Sequence, residues 1–185
     1  DVSHELRTPV AAMMLQCEEL LTDETLTPKT RKGVLFLSQK VKYLSQMISQ
    51  LLMLSRADQG RQKVAMEPLN LSELTEMAVL EAEEMAAERQ ITVFSEIEPR
   101  IYINGDETLL IRLWMNLLEN AVRYGKDGGK IKVYLSSNGG RIYASVEDNG
   151  IGIAQKDLPH IWERFYQADA ARSSGGSGLG LSMAA

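Results

Sequence analysis

His4, one of two histidines in this 185-residue chain, stands in the opening stretch "DVSHELRTPVA" between Ser3 and Glu5. An imidazole titrates near ~6.5, so at neutral pH much of it is uncharged and carries a nucleophilic lone pair. Glu5 is the next residue, and Thr8 lies at i+4 on the same helical face. Pro9 removes the N–H that would bond the Glu5 carbonyl, so the turn bearing His4 is expected to be loosened. Alone, such a histidine reads as a surface residue beside a carboxylate.

Far downstream, "DETLLIRLWMNLLENAVRYG" is a strongly apolar helix whose Asn116, Asn120 and Arg123 fall at i, i+4 and i+7 and so share one face. Asparagine is costly to bury without partners. Either these residues make local caps and buried hydrogen bonds, or the amide oxygens face a hydrated Mg2+ and the guanidinium a phosphate. In "VEDNGIGI", Asp148 ends a strand and can accept from an exocyclic amine, while Gly150 and Gly152 let a flat ring approach the backbone. "GGSGLGLSMAA" places Gly175, Gly176, Gly178 and Gly180 just before a further helix, whose free N–H groups and positive end make an anion site. No lysine follows these glycines, which excludes a Walker-A loop, and no βαβ unit follows them, which excludes a dinucleotide-binding crossover.

The elements that must position these groups begin with two helices. In "PKTRKGVLFLSQKVKYLSQMISQLLMLSRADQG", Val34, Leu37, Val41, Leu44, Ile48 and Leu51 alternate at steps of three and four, a heptad seam opened by Pro28 and ended by Gly60. Leu6, Val10, Met13, Cys17 and Leu20 make a matching seam in the opening segment, and "TDETLT" is the turn of a helical hairpin. One hairpin cannot bury two broad stripes, whereas two can as a four-helix bundle, so a homodimer is expected. Beyond a linker, "RQKVAMEPLN", the pattern becomes α+β. Asn70 is a helix N-cap with Glu73 at the capping-box position, and "ITVFSEI", "RIYI", "KIKVYLS" and "RIYASVED" are candidate strands, the last two joined by the hairpin signal "SNGG".

Bulk properties narrow the classes. A net charge of −5 argues against a nucleic-acid surface. No apolar run approaches the ~20 residues that span a bilayer. Cys17 is the only cysteine, so no internal disulfide forms, a reducing compartment is the default, and with two distant histidines the ligands for zinc are too few.

Taken in order and spacing, "SHELRTPV", "NLLENAVRYG", "DNGIGI", "IWERFYQAD" and "GSGLGLS" resemble the H, N, first glycine, F and second glycine boxes of sensor histidine kinases of two-component systems. The resemblance covers essentially the whole chain. It implies a dimerisation and histidine-phosphotransfer hairpin over residues 1–60, a linker over 61–68, and a Bergerat-type α/β-sandwich ATP-binding domain over 69–185. It implies that His4 accepts phosphate from ATP and passes it to a response-regulator aspartate, that Glu5 is the neighbouring base, and that Thr8 positions water for phosphatase action. Asn120 matches the Mg2+ ligand and Asn116 its companion; Arg123 and Tyr124 match a cation and an aromatic residue near the nucleotide. Asp148 matches the adenine-reading carboxylate beside Gly150 and Gly152, while Gly176, Gly178, Leu179 and Gly180 form the second glycine box. Residues 154–176 look like the lid over ATP; its Trp162 and Phe165 either pack or dock with nucleotide.

There are departures from the pattern. Arg123 stands where lysine is commoner, Trp162 replaces a phenylalanine, Gln167 replaces a frequent basic residue, and His160 matches nothing catalytic and is read as a surface residue. The family pattern continues past Ala185 with the rest of a helix and about two more strands, so an unpaired edge strand is expected here. Family members are often membrane receptors, of which this chain would be a cytoplasmic part, touching the membrane only through regions it does not contain. Two rivals are a gyrase-like Bergerat ATPase and a dimeric scaffold without activity. The first needs a glutamate where Asn116 stands, and Glu119 should point elsewhere; the second is opposed by the presence of every expected chemical residue.

Overall fold

The computed structural model describes residues 2–58, 64–168 and 178–183. The chain divides into two compact units, Asp1–Gln62 and Lys63–Ala185.

The first unit is a hairpin of α1 (Val2–Thr22) and α2 (Pro28–Asp58). Its turn is built from side-chain bonds. Asp23 Oδ1 accepts from the Thr25 N–H (2.8 Å) and hydroxyl (2.6 Å), which holds its carboxyl below the usual range. Thr27 Oγ1 accepts from the Thr30 N–H at 3.2 Å and caps α2, with Pro28 at the first helical position. Arg31 reaches back from α2 and donates to the carbonyls of Leu21 (3.0 Å) and Asp23 (2.9 Å) at the end of α1. Gly60, expected to end α2, lies outside the described residues.

The predicted seams divide into two columns. Val10 and Cys17 of α1 are buried with Val34, Ser38 and Val41 of α2. Leu6, Met13 and Leu20 recur every seven residues on α1, as do Leu37, Leu44 and Leu51 on α2, and all six are between 38% and 56% exposed. One column therefore closes the hairpin and the other is left outward.

The second unit contains β1 (Glu67–Asn70), α3 (Leu71–Ala87), β2 (Thr92–Ile97), β3 (Tyr102–Gly105), α4 (Glu107–Tyr124), β4 (Lys130–Asn138) and β5 (Arg141–Asp148). The strands form two sheets. β1 and β3 make an antiparallel ribbon, with Glu67 opposite Gly105 and Asn70 opposite Tyr102. β2 runs parallel to β4, and β4 antiparallel to β5 through a turn in which Gly139 and Gly140 both have positive φ, as "SNGG" predicts. β1 corrects the sequence reading, because "EPLN" crosses the boundary drawn for the linker at residue 68 and is a paired strand.

Period-two alternation points Ile131, Val133 and Leu135 of β4 inward, where they are buried with Leu74, Ala78 and Ala82 of α3 and Trp114, Leu118 and Val122 of α4. The small side chains of Ala78, Ala82 and Ala86 recur at one helical turn among these buried residues of α3. Asn70 caps α3 as expected, its Oδ1 accepting from the N–H groups of Ser72 and Glu73. Asp106 caps α4, and hydrogen bonds from Ala65 N first and then Leu109 N hold its carboxyl below the usual range. Gly125 ends α4, but at φ −60° and ψ 163° it is not left-handed. Its role is contact, since a Cβ there would lie 2.7 Å from the Ala121 carbonyl oxygen and 3.0 Å from Ile91 Cδ1. Past the glycines, the helix expected by sequence is a single 3₁₀ turn, Leu181–Met183, among the described residues.

Candidate functional site

The amphipathic helix α4 carries the first part of the site. Asn116 is only 7% exposed, and its Nδ2 has no hydrogen-bond partner among the described residues. A Cβ on Gly180 would lie 3.7 Å from both Asn116 Oδ1 and Asn120 Nδ2, so the two amides flank the backbone of the glycine segment. Leu179, fully buried, anchors that segment, and the 3₁₀ turn after it lies against α4. The structure thus brings Asn116, Asn120, Leu179 and Gly180 together. Glu119 lies beside the Asn116–Asn120–Arg123 stripe on the same helix. Its charged neighbours are Arg123 and Glu81 of α3, and burial is the main cause that raises its pKa, with Glu81 adding and Arg123 opposing.

The second part lies where α4 ends. Asp148, exposed at the end of β5, accepts from the Gly150 N–H at 2.8 Å through Oδ1. The Ile151 N–H donates to the Tyr124 carbonyl at 3.0 Å. A Cβ on Gly150 would overlap that same carbonyl, so only glycine lets the loop close on the helix. Gly152 follows with φ +67° and open space around it. Asp148, Gly150 and Tyr124 therefore share one corner, and Arg123 precedes Tyr124 in the last helical turn. Two residues that motif spacing does not flag belong to this corner. Asn149 Oδ1 accepts from the Lys130 N–H at 2.8 Å, and Arg89 reaches the last carbonyls of α4. Both partners are main-chain atoms remote in sequence, so no periodicity announces them.

In the expected lid, the Phe165 N–H donates to the Gly178 carbonyl at 2.9 Å. Phe165 itself is in the left-handed region, φ +64°, and 56% exposed. Gly178 has φ +68°, and a Cβ there would come within 2.6 Å of the Phe165 carbonyl carbon, so this crossing requires glycine. The Tyr166 hydroxyl donates to the buried Asp157 at 2.7 Å. His160, read as a plain surface residue, pairs through Nδ1 with Glu163 at 2.7 Å and stacks on Tyr166 at 5.3 Å. Gly176 and the rest of 169–177 lie outside the described residues.

Residues 1–60 match the family model of the His Kinase A (phospho-acceptor) domain, and residues 105–185 that of the histidine kinase-, DNA gyrase B- and HSP90-like ATPases. The chain is 33% identical over 185 residues to the sensor-like histidine kinase SenX3 of Mycolicibacterium smegmatis, covering 99% of this chain and 48% of that one. It is 34% identical over 188 residues to the sensor histidine kinase RppB of Synechocystis, covering all of this chain and 41% of that one. The chain belongs to the sensor histidine kinases of two-component systems. Among solved structures, full-length ShkA in complex with AMPPNP superposes on 98% of this kinase chain with a TM-score of 0.78 at 26% identity, using 38% of its own length. The kinase chain spans less than half the length of these curated relatives.

In this histidine kinase His4 falls in the first turn of α1, and its side chain lies outside the described residues. Glu5 and Thr8 are exposed, and Thr8 has an interaction partner. The helix runs through Pro9 without a break from Val2 to Thr22. The donors around Asn116 and Asn120 suit a hydrated Mg2+ held chiefly by substrate phosphates, which takes few protein ligands, and no acidic or histidine cluster competes for it among the described residues. No helix among the described residues is long and apolar enough to cross a membrane.

Proposed function

We propose that this chain autophosphorylates His4 with ATP and passes the phosphoryl group to an aspartate of a response regulator. In this reading residues 1–60 dimerise and carry the phosphoryl group, and residues 69–185 bind the nucleotide. The observation that carries it is the meeting of Asn116, Asn120 and Gly180, where Asn116 Oδ1 and Asn120 Nδ2 flank the glycine backbone and the buried Asn116 Nδ2 has no partner among the described residues. An amide N–H in that state suits a phosphate oxygen, and N–H groups along Gly178–Gly180 add donors.

At the other end of the site Asp148 keeps one carboxylate oxygen on Gly150 and offers the second to the exocyclic amine of adenine. Gly150 and Gly152 leave room for the ring, and Tyr124 and Arg123 border it. Phe165 and Gly176 belong to the lid and glycine segment that follow. Asn120 would hold Mg2+, which offsets charge on the transferring phosphate. His4 attacks the γ-phosphorus in line, ADP leaves with the bond electrons, and Glu5 takes the proton from the other ring nitrogen, so the phosphoimidazole forms without a net positive charge. Thr8 orients water for hydrolysis of the regulator's acyl phosphate.

The homodimer is supported by the outward columns Leu6–Met13–Leu20 and Leu37–Leu44–Leu51, which a second hairpin would cover. The relatives are sensor proteins, so we take the chain to be the cytoplasmic part of a receptor whose membrane contact lies elsewhere, and its charge of −5 favours no nucleic-acid partner.

The test is incubation with γ-labelled ATP and Mg2+. The expected product is an acid-labile, alkali-stable phosphoprotein that His4→Gln abolishes while nucleotide binding survives. Label retained by His4→Gln, or release of free phosphate alone, overturns the reading.

A further inference from the structure

A helix leaves its last carbonyls without intrahelical partners. At the end of α4 their bonds go to one distant side chain and one loop. Arg89, two residues past α3, donates through Nη1 to the carbonyls of Val122 and Arg123 and through Nη2 to that of Gly125, the last two at 2.9 Å. Tyr124, between them, gives its carbonyl to Ile151 of the "DNGIG" loop. Arg89 Nε also donates to Asp127 Oδ1 at 2.8 Å, and the Arg89 carbonyl accepts from the Gly128 N–H at 3.0 Å. The segment so held continues into Gly129 and Lys130, where the Lys130 N–H meets the side chain of Asn149, the neighbour of Asp148.

One guanidinium thus fixes the helical turn that carries Arg123 and Tyr124 and, through residues 125–130, the loop that carries Asp148. Its planar fork serves three carbonyls and a carboxylate at once, which a lysine, a point of charge on a flexible stem, does not. A cation at a helix C-terminus is also favoured by the helix dipole. The ion pair is the lesser part, because Asp127 is 79% exposed and such pairs contribute little. We infer that Arg89 is a positioning residue for base recognition, fixing the adenine end of the nucleotide site rather than its phosphate end. The inference rests on the reading of Asp148 and Tyr124 given above.

The experiment is equilibrium competition between a non-hydrolysable ATP analogue and its GTP counterpart on the whole chain, with a thermal melt of each variant. The unmodified chain is expected to prefer adenine. Arg89→Met is expected to lose about tenfold in affinity for the ATP analogue, as fits the loss of charged hydrogen bonds, and to narrow the preference over guanine. Asp127→Asn, which removes the ion pair and spares the carbonyl bonds, is expected to keep both. Arg89→Lys is expected to lie between, and it decides the matter where the methionine variant does not fold. A folded Arg89→Met or Arg89→Lys with lowered melting temperature but the full adenine preference overturns the inference, since Arg89 would then serve stability alone. Equal binding of both bases by the unmodified chain overturns the reading of Asp148 beneath it, and that result needs no variant.

Discussion

The hairpin and the α/β unit treat their large apolar side chains in opposite ways. In the α/β unit Leu118, Ile131, Val133 and Leu135 are all but inaccessible, enclosed between the sheet and two helices of the same chain. In the hairpin the buried residues are the modest Val10, Cys17, Val34, Ser38 and Val41, while the larger Leu6, Met13, Leu20, Leu37, Leu44 and Leu51 stay outward. The α/β unit closes a core within itself, and the hairpin presents an apolar surface that it does not close alone. The stability of the α/β unit is thus expected to be independent of concentration, whereas that of the hairpin depends on self-association.

Three perturbations break or sharpen this contrast. The largest effect is expected from charging the outward column. Leu37→Glu with Leu44→Glu should weaken self-association at least about a hundredfold, ~3 kcal/mol, by sedimentation equilibrium, while nucleotide affinity stays at the level of the unmodified chain. Intact dimers in that double variant would show that the columns are not the interface. Next comes Leu118→Ala, which opens a cavity in the enclosed core and should cost about 2–5 kcal/mol. The loss should appear in the denaturant midpoint of the α/β unit and leave the dimer in place.

The smallest effect is electrostatic and sits at Glu119. Burial raises its folded pKa above the unfolded value. The protonated form is therefore favoured on folding, and the associated stability is fully present below the ordinary glutamate value of ~4.3 and falls as pH rises through the folded pKa. Glu119→Gln should remove that fall, so the variant melts slightly higher than the unmodified chain at pH 7 and shows a flatter pH profile on the acid side. Identical profiles for the two would place Glu119 in water.

Much of this was legible because periodicity and turn chemistry are local. Asn70, "SNGG" and the Asn116–Asn120–Arg123 stripe all act within a few residues of themselves, and each stands where its spacing requires. Other features were hidden for particular reasons. Val34, Leu37, Val41 and Leu44 satisfy one heptad rule whether they face one neighbour or two, so the division into columns needs coordinates. Pro68 made "EPLN" read as linker, yet a short ribbon tolerates proline, and β3 pairs with it across a long stretch of chain. Gly125 ends α4 without a left-handed backbone, and the close contacts that require glycine there come from Ala121 and Ile91. Arg89 sits in a polar run with no period, and its partners are carbonyls 33, 34 and 36 residues away.

The amide of Asn116 sets two selective pressures against each other. A buried donor left unpaired costs about 1–3 kcal/mol, which a leucine at that position would avoid. Among the described residues folding alone therefore gives no reason to keep a buried asparagine in α4, and a sequence optimised for heat resistance of the empty domain would drift away from it. Occupancy reverses the balance, because a ligand that binds only the folded state adds about 2.7 kcal/mol at a hundredfold excess over its Kd. The thermal lifetime of the kinase would then follow the nucleotide supply of the cell that makes it.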